Sequence, residues 1–283
     1  MIFYICGDNM KVLIYNNNGR DVGKTGLSRL VNKLNKEGVQ YHILSDEELN
    51  DNFSADVVFT LGGDGTLLYL NEFSNRTRIP LIGINTGRLG FLSEFDKEDI
   101  ENAVDLFIAG KLYLEERICA KVIHNGNSYI ALNEACVQRL YFEGSNSVIS
   151  TLEVVADGAR VLKAKGDGII ISTATGTTAY SLSAGGPILT PNIDAFSITP
   201  IAAHSLGQRS IVCSTKVSYD VTFIRGLKMG LYVDGKYIAT LAEGDSFSIS
   251  KHEEPTLFLR RDSYDFFSRF HKKLQENFGE AND

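Results

Sequence analysis

The residues best placed to do chemistry are Gly62, Gly63, Asp64, Gly65 and Thr66, a three-glycine turn between the apolar run Val57-Val58-Phe59 and an amphipathic run that begins at Thr66. Glycine lets backbone N–H groups approach an anion and tolerates the positive φ of a tight turn. Where the turn opens a helix, the helix dipole adds to the attraction. Gly62, Gly63, Gly65 and Thr66 therefore read as a phosphate cradle. Asp64, in its middle, repels a phosphate unless a cation or a transferring proton intervenes, and that tension points to phosphoryl transfer. A glycine-rich turn also serves merely to reverse a chain, so the rest of the sequence has to decide.

A second stretch, 165–187, sets the apolar strand Ile169-Ile170-Ile171 among Ser and Thr hydroxyls, several glycines and one aromatic, Tyr180. This mixture suits a backbone that comes close to a polyhydroxylated ligand, with hydroxyls bonding ribose or phosphate. A Ser/Thr-rich turn capping a helix is the plainer alternative. A third stretch is rejected. Gly19, Arg20, Asp21, Val22, Gly23, Lys24 and Thr25 look like a P-loop, but only three residues separate the glycines where four are required.

The elements that carry these residues follow from hydrophobic spacing. Lys11 to Tyr15 form the first clear strand, preceded by Met10, so residues 1–9 read as an extension or an upstream start on which nothing functional depends. Leu27, Leu30, Val31 and Leu34 mark a one-sided helix, Val39, Tyr41 and Ile43 a strand, and Leu67, Leu70 and Phe73 a helix after the glycine turn. Leu81, Ile82 and Ile84 form a buried strand. In an open α/β sheet the carboxyl ends of strands make the ligand crevice, which brings the loop of Asn85, Thr86, Gly87, Arg88, Leu89 and Gly90 near Asp64. Ile100, Val104, Phe107 and Ile108 give a further helix. From Leu112 onward the pattern alternates, with turns at Asn125-Gly126, Asp157-Gly158 and Asp234-Gly235, which predicts an antiparallel β-sandwich. The expected fold is a Rossmann-like α/β domain, 10–112, and a β-sandwich, 113–261, with the boundary near 111–116. Phe266, Phe267, Phe270 and Leu274 form an aromatic helical face, expected to return onto the first domain within 262–283.

With 283 residues, 43% of them hydrophobic and 22% charged, the chain has material for two cores. A net charge of -7 argues against nucleic acid or an anionic membrane as partner. The four cysteines lack CxxC spacing and the five histidines form no metal-binding pattern, so the thiols read as reduced packing residues. No run approaches the roughly 18 apolar residues of a membrane span and no signal peptide is recognised, which predicts a cytoplasmic protein.

Taken together, the chain resembles the NAD kinases, which phosphorylate NAD to NADP with ATP. The resemblance rests on the Gly62 to Thr66 turn, Gly83-Ile84-Asn85 with Gly87-Arg88-Leu89-Gly90-Phe91-Leu92, Leu132-Asn133-Glu134, and the block 166–187. Thr199-Pro200-Ile201, His204-Ser205-Leu206 and Val233-Asp234-Gly235 extend it. Diacylglycerol and sphingosine kinases share the first turn, and the block after Asp167 is what makes the likeness specific. The resemblance implies a homo-dimer or homo-tetramer with the dinucleotide held between domains. It implies NAD contacts at Asp64, Gly65, Asn133, Glu134, Lys165, Asp167, Thr178, Ala179, Tyr180, Ser181, Leu182 and Ser183, with Lys236 matching by position. Ala174 and Ala203 stand where many members have proline, Tyr69 where a basic residue is common, and 141–147 does not align. These departures bear on nucleotide preference and affinity.

The implied chemistry is attack of the adenosine ribose 2′-hydroxyl of NAD on the γ-phosphate of ATP, with Mg2+ or another divalent ion on the triphosphate. Three roles are open to Asp64: it orients the hydroxyl, accepts its proton late, or holds the metal. The rival readings are a lipid kinase of the diacylglycerol kinase type, which calls for a membrane-facing surface, and a non-catalytic NAD(P)-binding sensor, against which Asp64 argues. A dehydrogenase is set aside because no G-x-G-x-x-G follows the first strand.

Overall fold

A computed structural model describes residues 10–17, 25–87, 90–140, 148–205, 207–261 and 266–278. Residues 1–9, the rejected P-loop up to Lys24, Arg88, Leu89, 141–147, Leu206 and the side chain of Leu274 lie outside the described residues. The chain forms two compact units, 1–116 with 256–283, and 117–255.

The first unit begins with β1 (Lys11–Asn16), α1 (Thr25–Lys36), β2 (Gln40–Ile43) and β3 (Val57–Gly62). It continues with α2 (Asp64–Tyr69), α3 (Asn71–Thr77), β4 (Leu81–Asn85), β5 (Phe95–Asp96), α4 (Ile100–Ile108) and β6 (Leu112–Arg117). Leu30 and Leu34 of α1 are fully buried against Val12, Ile14, Phe59 and Phe107, as the i, i+4 spacing requires. The helix expected through Leu67, Leu70 and Phe73 is broken: α2 ends at Leu70, whose ψ is 0°, and α3 starts from it. Leu67, Leu70 and Phe73 are nonetheless all buried, as their spacing requires.

The second unit is antiparallel throughout its two sheets. Its elements are β7 (Ala120–His124), β8 (Asn127–Ala131), β9 (Glu134–Arg139), β10 (Ser150–Ala156), β11 (Ala159–Gly166), β12 (Gly168–Thr173) and the short α5 (Tyr180–Ser183). Then come β13 (Ala195–Ile201), β14 (Ile211–Ser214), β15 (Tyr219–Arg225), β16 (Met229–Val233), β17 (Lys236–Leu241) and β18 (Ser246–Lys251). One sheet runs β11-β10-β15-β18-β7-β8 and the other β14-β13-β12-β9-β16-β17. Val122, Val154, Val221, Phe223 and Ile249 of the first sheet share a core with Val137, Ile171, Ile198 and Leu231 of the second. All three Asn/Asp-Gly turns have positive φ at both residues, 49° and 78°, 50° and 75°, and 46° and 78°, as two-residue hairpins of right-twisted strands demand.

The chain then returns to the first unit with β19 (Thr256–Arg261) and α6 (Phe266–Phe278). The sheet of that unit is ordered β2-β1-β3-β4-β19-β6, and β1, β3, β4 and β19 pair in parallel. Thr256 to Arg261, expected in the sandwich within 113–261, instead pairs its backbone with β4; alternation alone cannot say which sheet a strand joins. Strand order reverses between β1 and β3, so the carboxyl end of β3, where the glycine turn begins, lies at the topological switch point. Phe266 and Phe270 stack on each other and pack on Phe91, whereas Phe267 is 57% exposed.

Candidate active site

In the first unit β3 runs into an extended Gly63 that caps α2, and Asp64 is the first residue of that helix. None of Gly62, Gly63 and Gly65 has positive φ, so left-handed backbone is not why glycine stands there. At Gly62 the reason is space: a Cβ would sit 2.1 Å from Thr66 Oγ1. Thr66 is buried, its hydroxyl accepting from Asn17 Nδ2 at 3.3 Å. Gly65 is exposed, with nothing within 4 Å of where a Cβ would be.

The half-buried Asp64 carboxylate is held by the loop that follows β4. Its Oδ2 accepts the Phe91 N–H at 2.6 Å, and its Oδ1 accepts the N–H groups of Leu92 and Ser93 at 3.1 and 3.2 Å and the Ser93 hydroxyl at 3.3 Å. A Cβ on Gly90 would lie 1.9 Å from Oδ1, so only glycine lets the loop close on the carboxylate. The expected approach of this loop to Asp64 is thus present, and Thr86 N–H ties it to the Gly62 carbonyl at 3.1 Å.

A like arrangement organises the second unit. Asp234, in the β16–β17 turn, accepts the N–H groups of Leu132, Asn133 and Glu134 at 2.7, 2.8 and 3.0 Å. In the sequence Asp234 reads as a turn residue and as part of Val233-Asp234-Gly235, which extends the family resemblance; nothing there marks it as the acceptor for residues 132–134. From the other side Thr173 donates its N–H to the Asn133 carbonyl at 2.8 Å and its hydroxyl to the Leu132 carbonyl at 2.6 Å. Gly176 packs so closely that a Cβ would fall 2.1 Å from the Asn133 oxygen. The triplet Leu132-Asn133-Glu134 and the start of the hydroxyl-rich block, far apart in sequence, are therefore one construction.

Asn133 and Glu134 are both buried, and among the described residues Glu134 Oε2 has no hydrogen-bond partner. Burial, reinforced by the Asp234 charge, raises the Glu134 carboxyl to about 8. Burial also raises Asp234, to about 6, against the opposing pull of its three N–H donors. Unfolded, Glu134 loses its proton near 4.5; folded, it keeps it to about 8, so across that window the native state binds more protons. Raising the pH then favours unfolding. The ligand-free protein is expected to lose a few kcal/mol of stability from this carboxyl between pH 4.5 and 8, with Asp234 adding in the same direction up to about pH 6. Thermal melts across that range check it: the wild-type melting temperature should fall, and Glu134→Gln should flatten the profile and be the more stable protein at pH 8.

The other predicted contacts are placed as follows. Asp167 is ion-paired with Arg139. Tyr180 is 40% exposed, its hydroxyl donating to Gln138 Oε1 at 3.3 Å. Ser181 is fully buried with its hydroxyl on that of Thr199 at 3.2 Å, while Thr178, Ala179 and Leu182 are half-buried and Ser183 is exposed. Lys165 on β11 and Lys236 at the start of β17 are exposed, on strands of different sheets. In the first unit Tyr69 is exposed on α2, its ring tilted against Tyr15, whose hydroxyl donates to Asp46 at 2.6 Å.

This architecture, an α/β unit and an antiparallel β-sandwich, recurs in solved structures of kinases. Yeast NADH kinase complexed with NADH superposes with a TM-score of 0.82 at 22% identity, over 97% of this chain and 89% of that one. An NAD kinase from Archaeoglobus fulgidus in complex with ATP gives 0.76 at 24% identity, over 96% and 100%. Those likenesses establish the fold. In sequence, residues 9–112 match the ATP-NAD kinase N-terminal domain and residues 132–261 the ATP-NAD kinase C-terminal domain. The NAD kinase of Caldicellulosiruptor bescii is 33% identical over 267 residues, 94% of this chain and 100% of its own. That of Desulforamulus reducens is 37% identical over 227 residues, 78% of this chain and 77% of its own. The chain belongs to the ATP-NAD kinase family.

Proposed function

We propose that this protein transfers the γ-phosphate of ATP to the adenosine ribose 2′-hydroxyl of NAD, giving NADP and ADP. The observation that carries the reading is the Asp64 carboxylate, presented beside Gly63 and Gly65 at the carboxyl end of β3 and held by four donors. Three of the donors fall on Oδ1 and one on Oδ2, which leaves Oδ2 a lone pair for the ribose hydroxyl. An ordinary aspartate, with a pKa near 3.9, is a weak base toward an alcohol. In a loose transition state the hydroxyl becomes acidic late, so Asp64 orients it and takes its proton as the O2′–P bond forms and the bond to ADP breaks. Positioning and charge stabilisation supply most of the acceleration.

Gly62, Gly63, Gly65 and Thr66 form the turn assigned to the ATP phosphates. Asn133, Glu134, Lys165, Asp167, the segment 178–183 and Lys236 are assigned to NAD. A donor on the dinucleotide would satisfy the buried Glu134 Oε2. Among the described residues no three His, Cys, Asp or Glu side chains converge on a metal site, and the divalent cation enters as part of the Mg·ATP substrate. We further assign the protein to the cytoplasm as a homo-dimer or homo-tetramer; the absence of nucleic-acid or membrane partners is supported by its net charge of -7. No helix of the described residues is long and apolar enough to cross a membrane.

The test is NADP formation by the purified protein from NAD, ATP and Mg2+. Steady turnover is expected; NAD binding without turnover would replace the kinase with a sensor.

A further inference from the structure

The loop that holds Asp64 is itself held by the far end of the chain. Its N–H groups point to the carboxylate, and its carbonyls point to three arginines. Leu92 C=O accepts from Arg260 Nη1 at 2.5 Å, and Ser93 C=O accepts from Arg269 Nη1. Glu94 C=O accepts from Arg269 Nη2 at 2.7 Å and from Arg261 Nη2 at 2.9 Å. Leu92 C=O and Ser93 N–H belong to one peptide plane, so a single amide has the Arg260 guanidinium on its oxygen and Asp64 on its hydrogen. Hydrogen bonds linked in this way polarise and strengthen each other in a low-dielectric setting.

Packing acts in the same direction. Phe91, whose N–H makes the shortest bond to Asp64, lies with its ring centroid 6.4 and 6.2 Å from those of Phe266 and Phe270, and the Lys273 ammonium stands 4.5 Å over its face. The arginines are fixed in turn. Arg260 is fully buried between Glu94 and Glu115, at 3.4 and 2.9 Å, and Arg261 pairs with Glu94 at 2.9 Å.

We infer that β19 and α6 are the positioning element of the active carboxylate: Arg260, Arg269 and the Phe266/Phe270 pair press the N–H face of residues 91–93 onto Asp64. This rests on the role proposed for Asp64. None of these residues touches substrate; they act through the loop, and their loss lowers the rate of the bound complex rather than its formation.

The test uses the full-length enzyme with Arg269→Gln, Phe270→Leu and, in parallel, Asp64→Asn. For Arg269→Gln we expect kcat to fall about tenfold, KM for NAD and ATP to stay within about twofold, and amides 91–93 to exchange hydrogen faster. Arg269→Lys, which keeps the charge, should recover part of the rate. Phe270→Leu loosens the same loop through packing and should lower kcat about threefold, so the test survives if Arg269→Gln does not fold. Wild-type kcat in a folded Arg269→Gln or Phe270→Leu, or a loss confined to KM, overturns the inference. An inactive Asp64→Asn beside such a result would leave the role of Asp64 intact. A fully active Asp64→Asn would remove that role and the inference with it.

Discussion

Asp64→Asn is expected to lower kcat by about three orders of magnitude and to cost about 1–3 kcal/mol of stability in the first unit. Both effects follow from the donor pattern. If the amide nitrogen replaces Oδ2, it meets the Phe91 N–H at the 2.6 Å position, donor against donor. If it replaces Oδ1, it faces the N–H groups of Leu92 and Ser93. In either orientation the loop loses part of its anchor, and no carboxylate remains to orient or deprotonate a ribose hydroxyl. NADP formation at saturating NAD and ATP, with thermal melts alongside, measures the two consequences. Substantial turnover in the folded variant would exclude Asp64 from the chemical step.

The second large effect is expected at Asp234. Asparagine tolerates the left-handed conformation that Asp234 adopts, φ 46°, so Asp234→Asn keeps the hairpin and changes only the acceptor. One carbonyl oxygen then has to serve N–H groups that two carboxylate oxygens now accept at 2.7 to 3.0 Å. Leaving one or more of these donors unsatisfied should destabilise the second unit by about 1–3 kcal/mol. The same loss frees Asn133 and Glu134 from their fixed geometry, and KM for NAD is expected to rise at least tenfold while KM for ATP changes little. Calorimetry and NAD titration report the two effects separately. An unchanged NAD affinity would mean that residues 132–134 do not bind the dinucleotide.

Much of the architecture was legible because its signals are local. The Asn125-Gly126, Asp157-Gly158 and Asp234-Gly235 pairs announce hairpins because few other residues accept positive φ at two successive positions. Leu30 and Leu34 announce a buried helix face by spacing alone. Asp64 was marked as chemical by its own improbability, an acid inside a phosphate-type turn.

What binds Asp64 and Glu134 in place was not legible, because the groups that do it carry no residue signature. The donors to Asp64 are backbone amides 27 to 29 positions away, and those to Asp234 lie 100 to 102 positions away. Every non-proline residue offers the same N–H, so only the fold selects which ones converge. The arginines that fix the Asp64 loop stand more than 160 positions further along the chain, Arg269 on α6 and Arg260 and Arg261 on a strand whose membership in the first sheet is decided by backbone pairing with β4 and not by its alternating pattern. By itself the sequence determined the kinds of element and singled out Asp64 as the candidate carboxylate; tertiary structure decided how that carboxylate is held, since long-range hydrogen bonds to generic backbone groups leave no trace in residue spacing.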